Sequence, residues 1–166
     1  MFRLVLLALL LFVSVLGLAR SALRAEEGAE CARWRRAFQS MPARTLVIES
    51  SADRRISIAV KLAGSGEARR AGFQCVPASE IQTGVLVLDF GREVLGGLSV
   101  ANVPAALDIA FVRQSGRIFS ILRVEPSPTA RYGPMGWYRY AIEARAGFFE
   151  EHGISPGDHA QLEELR

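Results

Sequence analysis

The stretch that decides the fold is residues 107–124, which read LDIAFVRQSGRIFSILRV. Two apolar runs, Leu107–Arg113 and Arg117–Val124, flank the short polar segment Gln114–Gly116. Runs of this length on either side of a glycine-containing turn are typical of a β-hairpin. The sequence therefore predicts two antiparallel strands here and a domain built around a sheet.

Alternating segments recur on both sides of this hairpin. Residues 54–62 place Ile56, Ile58 and Val60 at every second position, which is the period of a half-buried strand. The other predicted strands are 45–50, 85–90, 98–101, 137–144 and 159–163, and the predicted short helices are 28–40, 67–71 and 146–152. This order predicts a mainly β fold of the α+β type, a compact β-barrel-like or curled mixed sheet with two or three short helices. It argues against a doubly wound parallel sheet.

The first 25 residues have the composition of an export segment. Arg3 precedes the almost wholly apolar run Leu4–Leu18, which matches a secretory signal and is short for a spanning helix of about 20 apolar residues. Cleavage after Ser21 or Ala25 fits, although neither site is an ideal Ala-x-Ala. The segment is therefore either a signal peptide or an uncleaved membrane anchor helix. We predict a periplasmic or secreted protein, or alternatively one anchored to the inner membrane.

Three segments follow from this organisation. Residues 1–25 are the signal or anchor, 26–44 an amphipathic helix and linker, and 45–166 the β-rich domain. Without residues 1–25 the chain keeps 17 basic and 17 acidic side chains, so the exported part is nearly neutral. Binding a polyanion requires a basic surface. Nucleic acid is therefore not expected as a partner, and membrane contact is expected only through the N-terminal segment.

Cys31 and Cys75 are the two cysteines of the chain. In an oxidising compartment they can form a disulfide, for which the chain-entropy model gives about 4 kcal/mol with a loop of this size. Two buried thiols are the alternative, because a sequence does not show whether two sulfurs meet.

Short motifs recur in a fixed order along the chain: Ala71-Gly72-Phe73, Asn102, Leu107–Phe111, Ser115-Gly116, Ala141–Ala144, Ala146–Phe148 and Gly153–Asp158. In this order the stretch from about Arg54 to Leu165 resembles the bacterial and archaeal family called domain of unknown function 192. The resemblance implies a small β-rich fold and frequent export or membrane association, and it implies no catalytic mechanism.

The chain is a divergent member by this resemblance. Ser99-Val100-Ala101 stand where the family has Trp-Met-Lys, and Gln74 and Val76 replace the Met and Arg of its Gly-Leu-Met-x-Arg turn. A role that depends on those side chains is put in doubt here.

Asp108 and Asn102 form the best polar pair for a ligand site. Alternation points Asp108 away from the face that carries Leu107 and Ile109. The alternative is a surface aspartate or a pair that satisfies the backbone, because buried polar groups need partners whether or not a ligand exists.

Arg131 and Trp137 are candidates for recognition. They belong to residues 131–140, where arginines and aromatic residues follow a connection rich in proline and glycine. Arginine and aromatic side chains anchor interfaces, and loops often carry function. The alternative is that half of this strand faces the core.

Gly157-Asp158 is interpreted as a structural turn in which the carboxylate accepts backbone N–H groups. His152 and His159 flank Asp158, but the spacing fits no zinc pattern, so no metal and no cofactor are predicted. The chain has no nucleophile elbow and no phosphate loop. It therefore favours a non-enzymatic, extracytoplasmic ligand-binding, protein-binding or assembly module. The alternative is a small carboxylate-dependent hydrolase or envelope-modifying enzyme.

Overall fold

The structure is a computed structural model that describes residues 20, 23–50 and 54–163. The predicted signal or anchor helix, at Leu4–Leu18, lies outside the described residues. Within the described ranges no helix combines the length and the apolar character that crossing a membrane requires. By its internal contacts the chain separates into two compact units, Met1–Arg33 and Trp34–Arg166.

The first helix, α1, covers residues 23–39 and so begins earlier than the predicted 28–40. Within the second unit its last two turns bury Trp34 and Phe38. The Phe38 ring lies 5.7 Å from the Phe73 ring, centroid to centroid. The apolar stripe of this helix is therefore part of the core of the β-rich unit.

Nine strands and three further short helices follow. The strands are β1 (Ala43–Glu49), β2 (Arg55–Ala63), β3 (Val85–Val94), β4 (Leu98–Ser99), β5 (Leu107–Val112), β6 (Ile118–Val124), β7 (Arg131–Tyr132), β8 (Tyr138–Arg145) and β9 (His159–Leu162). The helices are α2 (Gly66–Ala71), α3 (Ala78–Ile81) and α4 (Phe148–Glu151). Ser65 caps α2 by accepting the Ala68 N–H, as a serine before a helix favours.

Seven strands form one mixed sheet in the order β6-β5-β8-β3-β2-β1-β9, while β4 and β7 pair separately. The β2–β3 pair is parallel, and the other ladders of the large sheet are antiparallel. The predicted hairpin is the β5–β6 pair, in which Asp108 lies opposite Arg123. A mainly β fold with a mixed sheet and a few short helices is therefore confirmed.

The sequence left a β-barrel-like sheet as one of two alternatives. That alternative is wrong, because the sheet does not close into a barrel. In a closed barrel the two edge strands of the sheet pair with each other along their length. Strand β9 has four residues and is paired along β1. Among the described residues it meets the β6 side through one bridge, Arg117 with His159. The sheet therefore keeps β6 and β9 as edge strands.

Short hydrogen bonds hold these two edges together at that bridge, in a contact that we call the seam. The Ala160 N–H donates to the Gly116 carbonyl at 2.8 Å, and the Ile118 N–H donates to the Asp158 carbonyl at 2.8 Å. His159 Nε2 lies 2.5 Å from the Ser115 carbonyl oxygen. The seam therefore joins the β5–β6 turn to the start of β9.

The sheet carries apolar side chains on both faces. On one face a helix-side cluster contains Leu86, Leu88 and Ile109 together with residues of α1, α2 and α3. On the other face a seam-side cluster contains Val87 and Ile142 together with residues of α4 and β9. Strands that are buried on both faces read as continuous apolar runs, which explains why β3 and β5 show little alternation.

The backbone at Gly116 allows the seam to form. Gly116 has φ +89°, and a Cβ added there would lie 2.5 Å from the His159 ring and 2.9 Å from the Ala160 carbonyl. An alanine would therefore meet a strained backbone and also two atoms of the seam.

We expect Gly116→Ala to lower the free energy of unfolding by more than the roughly 1–3 kcal/mol of backbone strain alone. The matched control is Gly91→Ala, because Gly91 has φ +72° and no atom within 4 Å of an added Cβ. Urea unfolding of both variants measures the difference. Equal losses would show that the close approach at the seam contributes nothing.

Candidate functional site

Asp108 is buried, and both of its oxygens are used within the chain. Arg123 Nε donates to Oδ1 at 2.9 Å, and Arg123 Nη2 lies 3.3 Å from Oδ2. The Gly147 N–H donates to Oδ2 at 2.7 Å. The hydrogen bond with Asp108 raises the pKa of Arg123 above its ordinary value. Asp108 therefore ties β5 to β6 and to the start of α4.

Asn102 is not among the residues that line the groove beside Asp108. Asn102 is exposed in a left-handed turn with φ +57°, and its carbonyl accepts the Cys75 N–H at 2.8 Å. The open groove beside Asp108, of about 600 Å³, is lined by Arg123, α4 and the residues after it, without Asn102. A ligand site formed by Asn102 and Asp108 together stays a prediction.

Arg131 and Trp137 are both exposed, on β7 and just before β8 respectively. Arg131 Nη2 donates to the Gly97 carbonyl at 2.6 Å. Trp137 keeps about half of its surface in water, at 53% exposure. Its carbonyl accepts a hydrogen bond from Arg113. These two residues therefore belong to the surface rather than to the core.

Asp158 and its two flanking histidines take part in local hydrogen bonds. Asp158 is buried and accepts the Ser155 N–H at 2.9 Å. His152 Nδ1 lies 2.8 Å from the Phe148 carbonyl oxygen, while His159 belongs to the seam. Across residues 20, 23–50 and 54–163, no group of three or more His, Cys, Asp or Glu residues is placed to hold a metal ion.

Glu143 is a buried carboxyl group that the sequence reasoning missed. It lies opposite Leu86 on β3 and Ile109 on β5, so it points into the helix-side cluster. Its Oε2 atom is 3.5 Å from where a Cβ on Gly72 would stand. Burial raises the pKa of Glu143 to about 7. A glutamate inside the apolar run Ala141–Ala144 was the signal available in the sequence.

A cavity of about 350 Å³ opens between β9 and the centre of the sheet. Its apolar wall belongs to the seam-side cluster and comes from Leu46, Val87, Val112, Ile142 and Leu162. Its polar groups come from Gln114, Ser115, Tyr140, His159 and Gln161. None of the described residues that line it is an Asp, Glu, Lys or Arg.

This composition suits an uncharged molecule. Apolar walls favour the burial of apolar surface, whereas an ion would lose its hydration without gaining a counter-ion. Amide and hydroxyl groups at the edge can donate and accept hydrogen bonds. The lining combines apolar side chains with several hydrogen-bonding groups, and polar atoms contribute the larger share of its exposed surface.

The elements and their pairing define a small, mainly β domain built on one mixed sheet. Residues 47–162 match the model of the DUF192 family, which is described as "Uncharacterized ACR", and the chain belongs to that family. The resemblance seen in the order of the motifs is thereby confirmed. No curated protein matches the chain.

Two solved structures are similar to it. One is a putative transcription regulator from Sinorhizobium meliloti 1021, with a TM-score of 0.67, 24% identity, and 74% of this chain and 95% of that chain covered. The other is a protein of unknown function from Novosphingobium aromaticivorans DSM 12444, with a TM-score of 0.64, 18% identity, and 72% and 84% covered. At these identities the likeness shows the fold alone.

We expect Glu143 to make stability depend on pH. Its carboxyl group holds a proton more tightly in the folded chain, where its pKa is about 7 against an ordinary 4.5. The free energy of unfolding should therefore fall by about 3 kcal/mol as pH rises from 4.5 to above 7. Glu143→Gln should remove this loss. Compared with wild type at the same pH, the variant should therefore be more stable at pH 8 than it is at pH 4.5.

The measurement is urea unfolding of wild type and Glu143→Gln between pH 4 and pH 8.5. Glu80→Gln is the matched control, because Glu80 is exposed on α3 and its carboxylate stays in water in both states. A pH profile that is identical for wild type and Glu143→Gln would contradict the expectation.

Proposed function

We propose that the chain is an extracytoplasmic, non-enzymatic module that binds a small uncharged molecule in the cavity behind the seam. The cavity carries this proposal, because its volume of about 350 Å³ falls within the range of about 300–1,000 Å³ that small-molecule sites occupy. Its neutral wall supports a ligand with an apolar body and one or two hydrogen-bonding groups.

The seam provides the entry route by which a ligand reaches the cavity. Ser115, Gly116, His159 and Ala160 line the cavity and also make the hydrogen bonds of the seam. These bonds lie at the meeting of two sheet edges rather than within a continuous ladder. Sheet edges open locally more easily than central strands do. The ligand therefore enters between the β5–β6 turn and β9.

The arrangement of buried carboxyl groups favours binding over hydrolysis. Asp108 lies opposite Ala144 on β8, whereas the next residue, Ile109, lies opposite Glu143. Side chains of successive residues point to opposite faces of a sheet, so Asp108 and Glu143 face opposite sides. An acid–base pair must act on one bound molecule, and these two side chains are not arranged for that.

The extracytoplasmic location rests on the N-terminal sequence and on the cysteines. Leu4–Leu18 has the composition of a secretory signal. The chain has two cysteines, and neither Cys31 nor Cys75 is a free thiol. Disulfides persist in oxidising compartments. This supports export of a chain in which Cys31 and Cys75 bond each other.

Mass measurement of the protein recovered from a periplasmic fraction tests export and the disulfide together. We expect a mass that corresponds to cleavage after Ser21 or Ala25, and one lower by two hydrogens than after reduction. An uncleaved chain in the membrane fraction would select the anchored form. Two free thiols, detected by alkylation of the unfolded and unreduced protein, would contradict the disulfide.

Binding in the cavity is tested with indole, an apolar probe with one N–H donor, by ligand-observed NMR. We expect Val87→Phe to weaken indole binding about tenfold or more, because the added ring occupies the space that the probe needs. The neighbouring variant Leu88→Phe is the control, since Leu88 belongs to the helix-side cluster. The charged analogue indole-3-acetate should bind less tightly than indole.

Two results would contradict this site. Indole binding that survives Val87→Phe, in a variant shown to be folded by circular dichroism, would place the probe elsewhere. Preference for the charged analogue would show that a neutral ligand is the wrong class.

A further inference from the structure

Three large apolar side chains remain in water at one end of the sheet. Leu95, Met135 and Trp137 are 61%, 103% and 53% exposed, respectively. Val94 on β3 lies opposite Tyr138 on β8, so Leu95 and Trp137 continue the same antiparallel pair by one step. We call these three side chains the apolar rim.

The rim is held in place from below. Arg113 donates to the Trp137 carbonyl, and its guanidinium carbon lies 3.9 Å from the centroid of the Phe119 ring. The Tyr138 hydroxyl donates to the Gly96 carbonyl at 3.2 Å. Its ring packs edge-on against Phe111, with centroids 4.9 Å apart. The exposed apolar groups are therefore presented by a fixed framework.

Two arginines beside the rim take part in none of the salt bridges found in residues 20, 23–50 and 54–163. Arg113 donates to the carbonyl of Trp137, and Arg131 donates to the carbonyl of Gly97. The salt bridges among the described residues involve other arginines. Among the described residues the rim therefore combines apolar surface with two guanidinium groups outside those salt bridges, while the Glu93 carboxylate accepts the Gln114 N–H beside Arg113.

The chemistry of this surface matches an anionic lipid bilayer. Tryptophan favours the membrane–water interface, because its ring is apolar and its N–H is polar. Apolar side chains that project beyond the backbone can enter the boundary between headgroups and acyl chains. Each nearby arginine adds about 1 kcal/mol of attraction to an anionic surface. A nearly neutral domain gains such attraction only where its cations are unpaired.

We propose that the apolar rim, together with Arg113 and Arg131, docks on the surface of a bilayer that contains anionic lipids. This contact is separate from the cavity, and it adds to the membrane contact expected through the N-terminal segment. An acidic protein partner is the competing occupant. It would require a pocket that accepts a fully exposed methionine, whereas a bilayer accepts any projecting apolar group.

Trp137 reports on this docking directly. The chain has two tryptophans, and Trp34 is buried. The full chain is reconstituted on vesicles of phosphatidylcholine alone or mixed with phosphatidylglycerol, with brominated acyl chains as quenchers. The emission of Trp137 is the difference between wild type and Trp137→Phe. An N-terminal segment that is retained would contact both kinds of vesicle equally, so the lipid dependence of this emission isolates the rim, and the cleaved protein is tested in the same way.

We expect Trp137 emission to shift to shorter wavelength and to be quenched on anionic vesicles only. Arg131→Gln should lower the ratio of docked to undocked protein about fivefold, which corresponds to about 1 kcal/mol for one cation. Met135→Ser should also lower it. Arg54→Gln is the matched control and should leave it unchanged, because Arg54 is likewise exposed and donates to backbone carbonyls, those of His152 and Gly153.

Three outcomes would overturn the proposal. Emission that stays unquenched on anionic vesicles would show that the rim does not enter a bilayer, as expected for a protein partner. Equal quenching on both kinds of vesicle would show that the arginines have no part. Unchanged docking of Arg131→Gln and Met135→Ser, with circular dichroism identical to wild type, would assign the lipid contact to another surface.

Discussion

Burial of the central strands on both faces is the constraint from which the rest of the structure follows. Strands β3, β5 and β8 carry apolar side chains on the two sides of the sheet, so each side must be covered. Helices α1, α2 and α3 contribute to the cluster on one side. On the other side β1, β9 and α4 contribute to the cluster. Because β9 reaches the β5–β6 turn at the seam, the second covering layer encloses the cavity.

Two carboxyl groups in this doubly covered sheet show two solutions to the same desolvation cost. A guanidinium group and a backbone N–H donate hydrogen bonds to Asp108. Glu143 faces the other side, where burial raises its pKa to about 7, so a proton replaces the missing cation near neutral pH. A buried charge without a partner usually neutralises in this way. The carboxyl groups of Asp108 and Glu143 lie on adjacent strands. The first therefore connects structural elements, whereas the second titrates near neutral pH.

Local sequence features predicted the local structure well, and the long-range closure poorly. The hairpin at β5–β6 and the Ser65 cap of α2 depend on neighbouring residues, so their patterns were readable. Strand β3 runs to Val94, beyond the predicted Phe90, because its last residues pair across a register shift with β8. Glu143 and the cavity were missed, because they arise from strands far apart in the chain. The left-handed turn at Asn102, whose carbonyl accepts the Cys75 N–H, likewise could not be read from spacing alone.

The β5–β6 hairpin connects the two proposed sites. Gln114 and Ser115 line the cavity. The preceding residue, Arg113, donates a hydrogen bond to the Trp137 carbonyl and packs on the Phe119 ring. The Arg113 N–H donates to the Arg117 carbonyl at 2.9 Å, so the turn is closed as one unit. The turn that lines the cavity therefore also holds the arginine that supports the apolar rim. Cavity and rim therefore share one mechanical element, although they differ in charge and in the class of ligand that each is suited to bind.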